Sequence, residues 1–261
     1  MRAPRTALTV VVVYPDLLGT YGDGGNGLVL ARRAEWRGVA ARLVEAPSDE
    51  PLPVGDLYCL GGGEDGPQAR AVTALEADGT LAAAVEGGAV VLAVCAGFQI
   101  VGRTFPSADG RPLHGLGILD IETVKGARRA VGEVLAQPGS IGTGGRGGDP
   151  EGPRLPALTG FENHAGLTVR GPSVQPLATV EVGVGNGDGT EGAVSGRVVG
   201  TYLHGPVLAR NPALADLLLA WALGEDPPLE PLDDTEEDAL RAERLTAVRG
   251  VLGRRRPGHR R

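Results

Sequence analysis

Residues 89–99 read AVVLAVCAGFQ. An apolar run from Ala89 to Val94 enters Cys95 without a polar break, and Ala96 and Gly97 follow before Phe98 and Gln99. A continuous run of this kind suits a strand buried on both faces of a parallel sheet. The small residues after the sulfur permit a sharp strand-to-helix turn, and a helix N-terminus next to a cysteine favours thiolate over thiol. Cys95 therefore reads either as an exposed nucleophile on an elbow or as a buried structural cysteine. Cys59, inside the apolar run Leu57 to Leu60, takes the structural reading.

Outward from this stretch, short Val-rich runs alternate with Ala/Leu/Arg segments, the pattern of a parallel sheet wrapped by helices. Strands are predicted at Leu8 to Val13, Ala41 to Val44, Leu57 to Leu60 and Val90 to Val94, with helices at about Gly27 to Arg37, about Gln68 to Glu86 and after Cys95. Beyond residue 115 less regular strands are predicted at Ile118 to Val124, Leu167 to Val169, Ala178 to Val182 and Val194 to Tyr202. Asn211 and Pro212 start a last helix that ends at Gly224. The fold class is α/β, with a mostly parallel central sheet flanked by helices. Residues 1–224 form one domain, carrying a mobile Gly-rich surface loop at about 138–153. Residues 225–261 add an acidic segment, with a further polar helix over Asp233 to Glu243, and a basic tail.

Gly (43) and Pro (20) make up about a quarter of the 261 residues, yet 42% of the chain is apolar, enough for a core in a loop-rich globular protein. The net charge of -7 argues against a nucleic-acid surface. Of 25 basic residues only Lys125 is a lysine, and Gly126 follows it, so the chain carries no Walker A loop, which needs Lys before Ser or Thr. No run approaches the length of a membrane span, and the first apolar run lacks a cleavage site, so a cytosolic protein with two free thiols is expected.

A thiolate nucleophile needs a base. His204, at the end of the run Val194 to Tyr202, is favoured over His164 in FENHAG (161–166); either could instead be a histidine satisfied by loop backbone. Gly61, Gly62 and Gly63 follow the strand Leu57 to Leu60, where the N–H groups of Gly62 and Gly63, with that of Ala96, could hold an oxyanion; a triple glycine can also be a plain tight turn. Gly22, Gly24 and Gly27 satisfy G-x-G-x-x-G with Glu45 after the next strand, but the first glycine lies too far beyond Val13 for the tight turn of a dinucleotide site.

These groups, in this order, resemble the class I, triad-type glutamine amidotransferases, in the branch related to cobyric acid synthase and within it the GatD-type small subunits of the lipid II isoglutaminyl synthases MurT/GatD. The likeness is carried by YPDLLGTYGDGGN (14–26), GGGED (61–65) with Gln68, CAGFQ (95–99), GLGILD (115–120), FENHAG (161–166) and YLHG (202–205). It implies the class I fold, Cys95 as nucleophile, His204 as its base, and an arginine holding the glutamine α-carboxylate, which falls on Arg129 with Arg128 as the fallback. It implies a glutaminase whose ammonia passes to a MurT-like, Mur-ligase-type ATPase partner that amidates D-glutamate of the lipid II stem peptide. ATP and Mg2+ are then expected on the partner, with no cofactor or metal in this chain, and the protein meets the inner face of the membrane through lipid II. Other acceptors, such as a corrinoid acid, a Cys hydrolase without ammonia transfer, and a non-catalytic regulatory partner with the same fold are the alternatives. Ordinary triads carry an acidic residue two positions after the histidine, where this chain has Pro206. That gap points to the partner as the source of the orienting carboxylate, with exposed loops at Tyr21 to Asn26 and 138–153 as contact candidates.

Overall fold

The computed structural model describes residues 7–139, 155–224 and 229–255. The first half alternates strand and helix: β1 (Leu8–Val13), α1 (Pro15–Leu18), α2 (Gly25–Trp36), β2 (Ala41–Ala46), β3 (Leu57–Leu60), α3 (Asp65–Asp78), α4 (Thr80–Glu86), β4 (Val90–Val94) and α5 (Ala96–Ile100). The second half is mostly strand: β5 (Thr104–Pro106), β6 (Pro112–His114), β7 (Ile121–Pro138), β8 (Leu158–Arg170), β9 (Ala178–Val182), β10 (Thr190–Glu191), β11 (Ala193–Ser195) and β12 (Val198–Thr201). Three helices, α6 (Val207–Arg210), α7 (Pro212–Leu223) and α8 (Thr235–Arg255), close the chain.

The strands form two sheets. The first has the order β11-β12-β4-β3-β1-β2 and is parallel except for β11. Its central strands β3, β4 and β12 are buried at every position, and β1 at all but Thr9, which is why they read as unbroken apolar runs; β2, at the edge, is only partly covered. The second sheet runs β10-β9-β7-β5-β6, with β8 paired antiparallel to β7 along a long hairpin whose register shifts between Lys125 and Ala130. The mostly parallel sheet flanked by helices agrees with the sequence reading. Among the described residues no helix is long and apolar enough to cross a membrane.

Several boundaries differ from expectation, each for a local reason. The segment from 68 to 86 is two helices, because Gly79 adopts φ 72 and caps α3 before α4 begins. The run at Val194 to Tyr202 is a hairpin, turned through Gly196 at φ 56. The predicted strands at Ile118 and Leu167 belong to the far longer β7 and β8, whose alternating polar residues hide the period on a half-exposed face. Asn211 precedes α7 as expected but does not cap it with its side chain. Its amide instead bonds both the N–H and the C=O of Thr159 on β8. The polar helix expected over Asp233 to Glu243 is the first half of α8. Most of the 138–153 loop and the end of the basic tail lie outside the described residues.

The C-terminal segment is tied to both sheets. Arg33 of α2, 3% exposed in its side chain, is held by Asp216 of α7 and by Asp234, just before α8. Arg244 and Arg249 of α8 reach Glu133 of β7 and Glu181 of β9.

Packing under the elbow is tight. Gly200 of β12 lies flat against the ring of the fully buried Phe98 of α5, so a methyl group there overlaps the ring. Gly200→Ala is expected to lower stability by about 1–3 kcal/mol through overpacking. The check is the chemical denaturation midpoint, which should fall with an unchanged slope.

Candidate active site

The carboxyl ends of four neighbouring strands converge on one edge of the first sheet, the place where open parallel sheets carry their sites. Beyond β4 stands Cys95, with φ 52 and ψ -102, one of only two non-glycine residues at positive φ among the described residues. That backbone is the strained elbow the sequence suggested. It is held by the Cys95 N–H on the Thr201 carbonyl (2.9 Å) and by Gly97 N–H on the Gly61 carbonyl (3.1 Å). Gly97 must be glycine, since a Cβ would stand 2.7 Å from that of Leu60. Cys59, by contrast, is sealed inside β3, and burial pushes its thiol up to about 12.

His204 follows β12. Its backbone is bridged to Phe161 of β8 in both directions, which fixes where the ring points. Nδ1 lies 3.0 Å from Asp23 Oδ2, while the buried Nε2 has no conventional hydrogen-bond partner. Burial alone would lower this imidazole, but the hydrogen bond to Asp23 and the interaction with Cys95 outweigh it and raise the ring to about 10. The ring is therefore basic enough to take and hold a proton beside the sulfur.

The acidic partner missing after His204 comes from within this chain. Asp23, 2% exposed, sits in the glycine-rich turn between β1 and α2 and reaches the imidazole from 181 residues away. This corrects the reading of that gap as pointing to the partner protein for the carboxylate. The sequence signal was a polar residue in the loop after β1, masked by the G-x-G-x-x-G match around it. Within the Tyr21 to Asn26 loop, Gly22 is exposed, Asp23 and Asn26 are buried, and Tyr21 leans over His204, ring centroids 4.7 Å apart.

Asp23 also changes the oxyanion assignment. Gly62 donates its N–H to Asp23 Oδ2 at 2.9 Å, so that donor is engaged and does not face the cleft. Gly63 and Ala96 do line the cleft next to Cys95, and the N–H groups of both are without a backbone acceptor among the described residues. Gly62 has a different duty: a Cβ there would press on His204 and Tyr21, each at 2.8 Å.

The far wall of the cleft comes from the second sheet. Arg129 of β7 and Asn163, His164, Ala165 and Gly166 of β8 face Cys95 across it. Arg129 Nε donates to Asn163 Oδ1 (2.7 Å), and Nη2 reaches the Asn163 carbonyl and the Tyr21 hydroxyl, both at 3.3 Å. Arg128 does not line the cleft. Tyr21 donates in turn to Glu64 Oε1 (3.4 Å), and burial together with that carboxylate raises its hydroxyl, which stays neutral.

His164 lines the cleft without contacting the His204 pair. Its ring stacks on Tyr202 (3.7 Å, 10°), with Nδ1 on the Gly166 carbonyl at 2.8 Å and Nε2 3.4 Å from Glu162. Both nitrogens are thus spoken for, which disfavours it as the base. Below it, Gln68, Gln99, Tyr202 and Thr168 form a buried chain of hydrogen bonds under the elbow. Asn163 and Glu64 had been given no role from sequence, and Tyr21 and Asp23 only that of a contact loop. His114 lies on β6, and no cluster of His, Cys, Asp or Glu among the described residues could hold a metal ion.

Chemically, a cysteine on a strained elbow, two N–H groups and a guanidinium in one cleft, with an imidazole backed by a carboxylate interacting with the sulfur, fit acyl transfer from an amino-acid amide. Residues 9–212 match the CobB/CobQ-like glutamine amidotransferase domain. The chain is 33% identical over 244 residues to the lipid II isoglutaminyl synthase (glutamine-hydrolyzing) subunit GatD of Staphylococcus aureus, covering 91% of this chain and 94% of the relative. It is 32% identical over 237 residues to the GatD subunit of Streptococcus pneumoniae, covering 87% and 86%. Cobyric acid synthase of Rhodobacter capsulatus is 35% identical over 203 residues, 76% of this chain and 36% of that protein. A glutamine amidotransferase crystal structure from Thermotoga maritima shares the fold, with TM-score 0.53, 16% identity and coverage of 95% and 96%.

Proposed function

The chain belongs to the CobB/CobQ-like glutamine amidotransferase family, and on that premise we propose that it hydrolyses L-glutamine as the GatD-type subunit of a lipid II isoglutaminyl synthase. The observation that carries this reading is the cleft lined by Cys95 and Arg129, with the His204 imidazole interacting with the Cys95 sulfur, in a chain that matches the GatD subunits along nearly its whole length.

The chemistry follows from the residues. The α-carboxylate of glutamine pairs with Arg129, which brings the side-chain amide over the elbow. Cys95 passes its thiol proton to His204 and Sγ attacks the amide carbon, while the N–H groups of Gly63 and Ala96 receive the oxyanion. His204 gives its proton to the departing nitrogen, so ammonia leaves and a glutamyl thioester remains. The same imidazole, now neutral and oriented by Asp23, takes a proton from water as the water cleaves the thioester to glutamate. Amide formation from a carboxylate needs activation, and this chain has one lysine and no Walker A loop. The ATP- and Mg2+-dependent half-reaction on D-glutamate of the stem peptide accordingly belongs to a MurT-like, Mur-ligase-type partner, which receives the ammonia through a shared interface.

The test is to co-express the chain with a Mur-ligase-type ATPase from the same genome and supply lipid II, glutamine and ATP. Amidated stem peptide detected by mass spectrometry supports the reading. Glutamine hydrolysis without lipid II amidation leaves a glutaminase with a different acceptor, such as the corrinoid acids of the cobyric acid synthases.

Arg129→Ala is expected to raise KM for glutamine about 10- to 100-fold with a smaller fall in kcat, because the carboxylate is held alike in ground and transition states. Steady-state kinetics decide it. A raised KM in Arg128→Ala with none in Arg129→Ala moves the role by one residue.

A further inference from the structure

Free glutamine is a zwitterion, so a cleft that selects it from other amides must meet an ammonium group beside the carboxylate. Arg129 is already held on one side: Nε and Nη2 are engaged by Asn163 and Tyr21, and Nη1 makes no hydrogen bond among the described residues. The carboxylates that line the same cleft are Glu64 and Asp65, at the start of α3. Glu64 is the one linked to Arg129, through the Tyr21 hydroxyl, which accepts from the guanidinium at 3.3 Å and donates to Glu64 at 3.4 Å.

Glu64 also stands at the N-cap of α3, where a short polar side chain would fold back on the helix, yet it makes no side-chain capping bond. Its carboxylate is turned to the cleft instead. The other cation in the cleft, Lys125, is directed away, its Nζ donating to the Ala108 carbonyl at 3.1 Å. Tyr21 thus holds a cation and an anion on either side of one hydroxyl, the charge pattern complementary to an amino-acid head group. We propose that Glu64 binds the α-ammonium of the substrate, with Tyr21 setting its spacing from Arg129, so that the cleft selects L-α-amino acids over simple amides. The inference rests on the glutamine-hydrolysing reading above and names the group that reads the amine.

The experiment compares L-glutamine with glutaramate, the same molecule with hydrogen in place of the α-ammonium, on the co-expressed complex and its Glu64→Gln and Tyr21→Phe variants. Glu64→Gln is expected to raise KM for L-glutamine about tenfold, with kcat within about twofold, and to leave glutaramate unchanged, so that the preference for the amino acid collapses. Glu64→Asp should restore part of it. Tyr21→Phe should weaken both substrates, since it loosens Arg129, which each of them uses. Equal effects of Glu64→Gln on the two substrates, or none on either, overturn the proposal while hydrolysis by the parent complex keeps the glutaminase reading. A parent complex that hydrolyses no glutamine overturns both. Calorimetric binding of the two ligands to the Cys95→Ala complex, with and without Glu64→Gln, reads the same discrimination without turnover, and an unchanged ratio there overturns the role of Glu64.

Discussion

Cys95→Ala is expected to reduce glutamine hydrolysis by a factor on the order of 10⁴ or more, because no other nucleophile shares its elbow and the residual rate would come from bound water and the N–H groups alone. Cys59→Ala should leave turnover within a few-fold, since that sulfur is enclosed by β3 and its neighbours and its thiol is pushed up to about 12. A glutamine-mimicking electrophile separates the two directly. Peptide mass spectrometry should place the adduct on Cys95, and an adduct on Cys59, or none in the active complex, would refute the assignment.

His204→Ala should cost about 10² to 10⁴-fold in kcat, and His164→Ala much less. The pH profile carries the more specific signature. With its imidazole raised to about 10, His204 keeps the proton the leaving ammonia needs through neutral pH and loses it as pH climbs toward that value. The acylation rate should therefore fall on an alkaline limb near pH 10, and Asp23→Asn, which removes the main hydrogen-bond support, should move that limb downward. Stability follows the same sign: the contribution of a raised histidine is complete below its ordinary value of 6.5 and is lost as pH rises through about 10. An alkaline limb unmoved in Asp23→Asn would show that the carboxylate neither tunes nor orients the ring.

The part of the site legible in the sequence was the part written locally. Cys95 announces itself because the strand, the sulfur and the small residues of the turn are consecutive, and His204 because it follows the next buried run in the same sheet. Arg129 was reached by likeness to a family, since nothing in the polar stretch around it says that β7 is long enough to bring residue 129 over the first sheet. Asp23 was hidden for the opposite reason. Its loop carries a recognisable glycine pattern, and the pairing with His204 depends on β1 lying two strands from β4 and three from β12, a sheet order that no local window contains. Gly62 was misassigned by the same ignorance of Asp23, because the N–H that looked free for substrate already had an acceptor. The fold was legible further than the site: buried parallel strands are continuous apolar words, whereas the half-exposed β7–β8 hairpin is not.

The clamp around Arg33 bears on more than the fate of one buried charge. Cys95 stands at the end of a strand of the first sheet and Arg129 belongs to the second, so the distance between the two side chains is set by how the two sheets meet. The C-terminal segment grips both: Asp234 holds α2 on the first, and Arg244 and Arg249 hold β7 and β9 on the second. It thereby spans the join between the sheet that carries Cys95 and the sheet that carries Arg129.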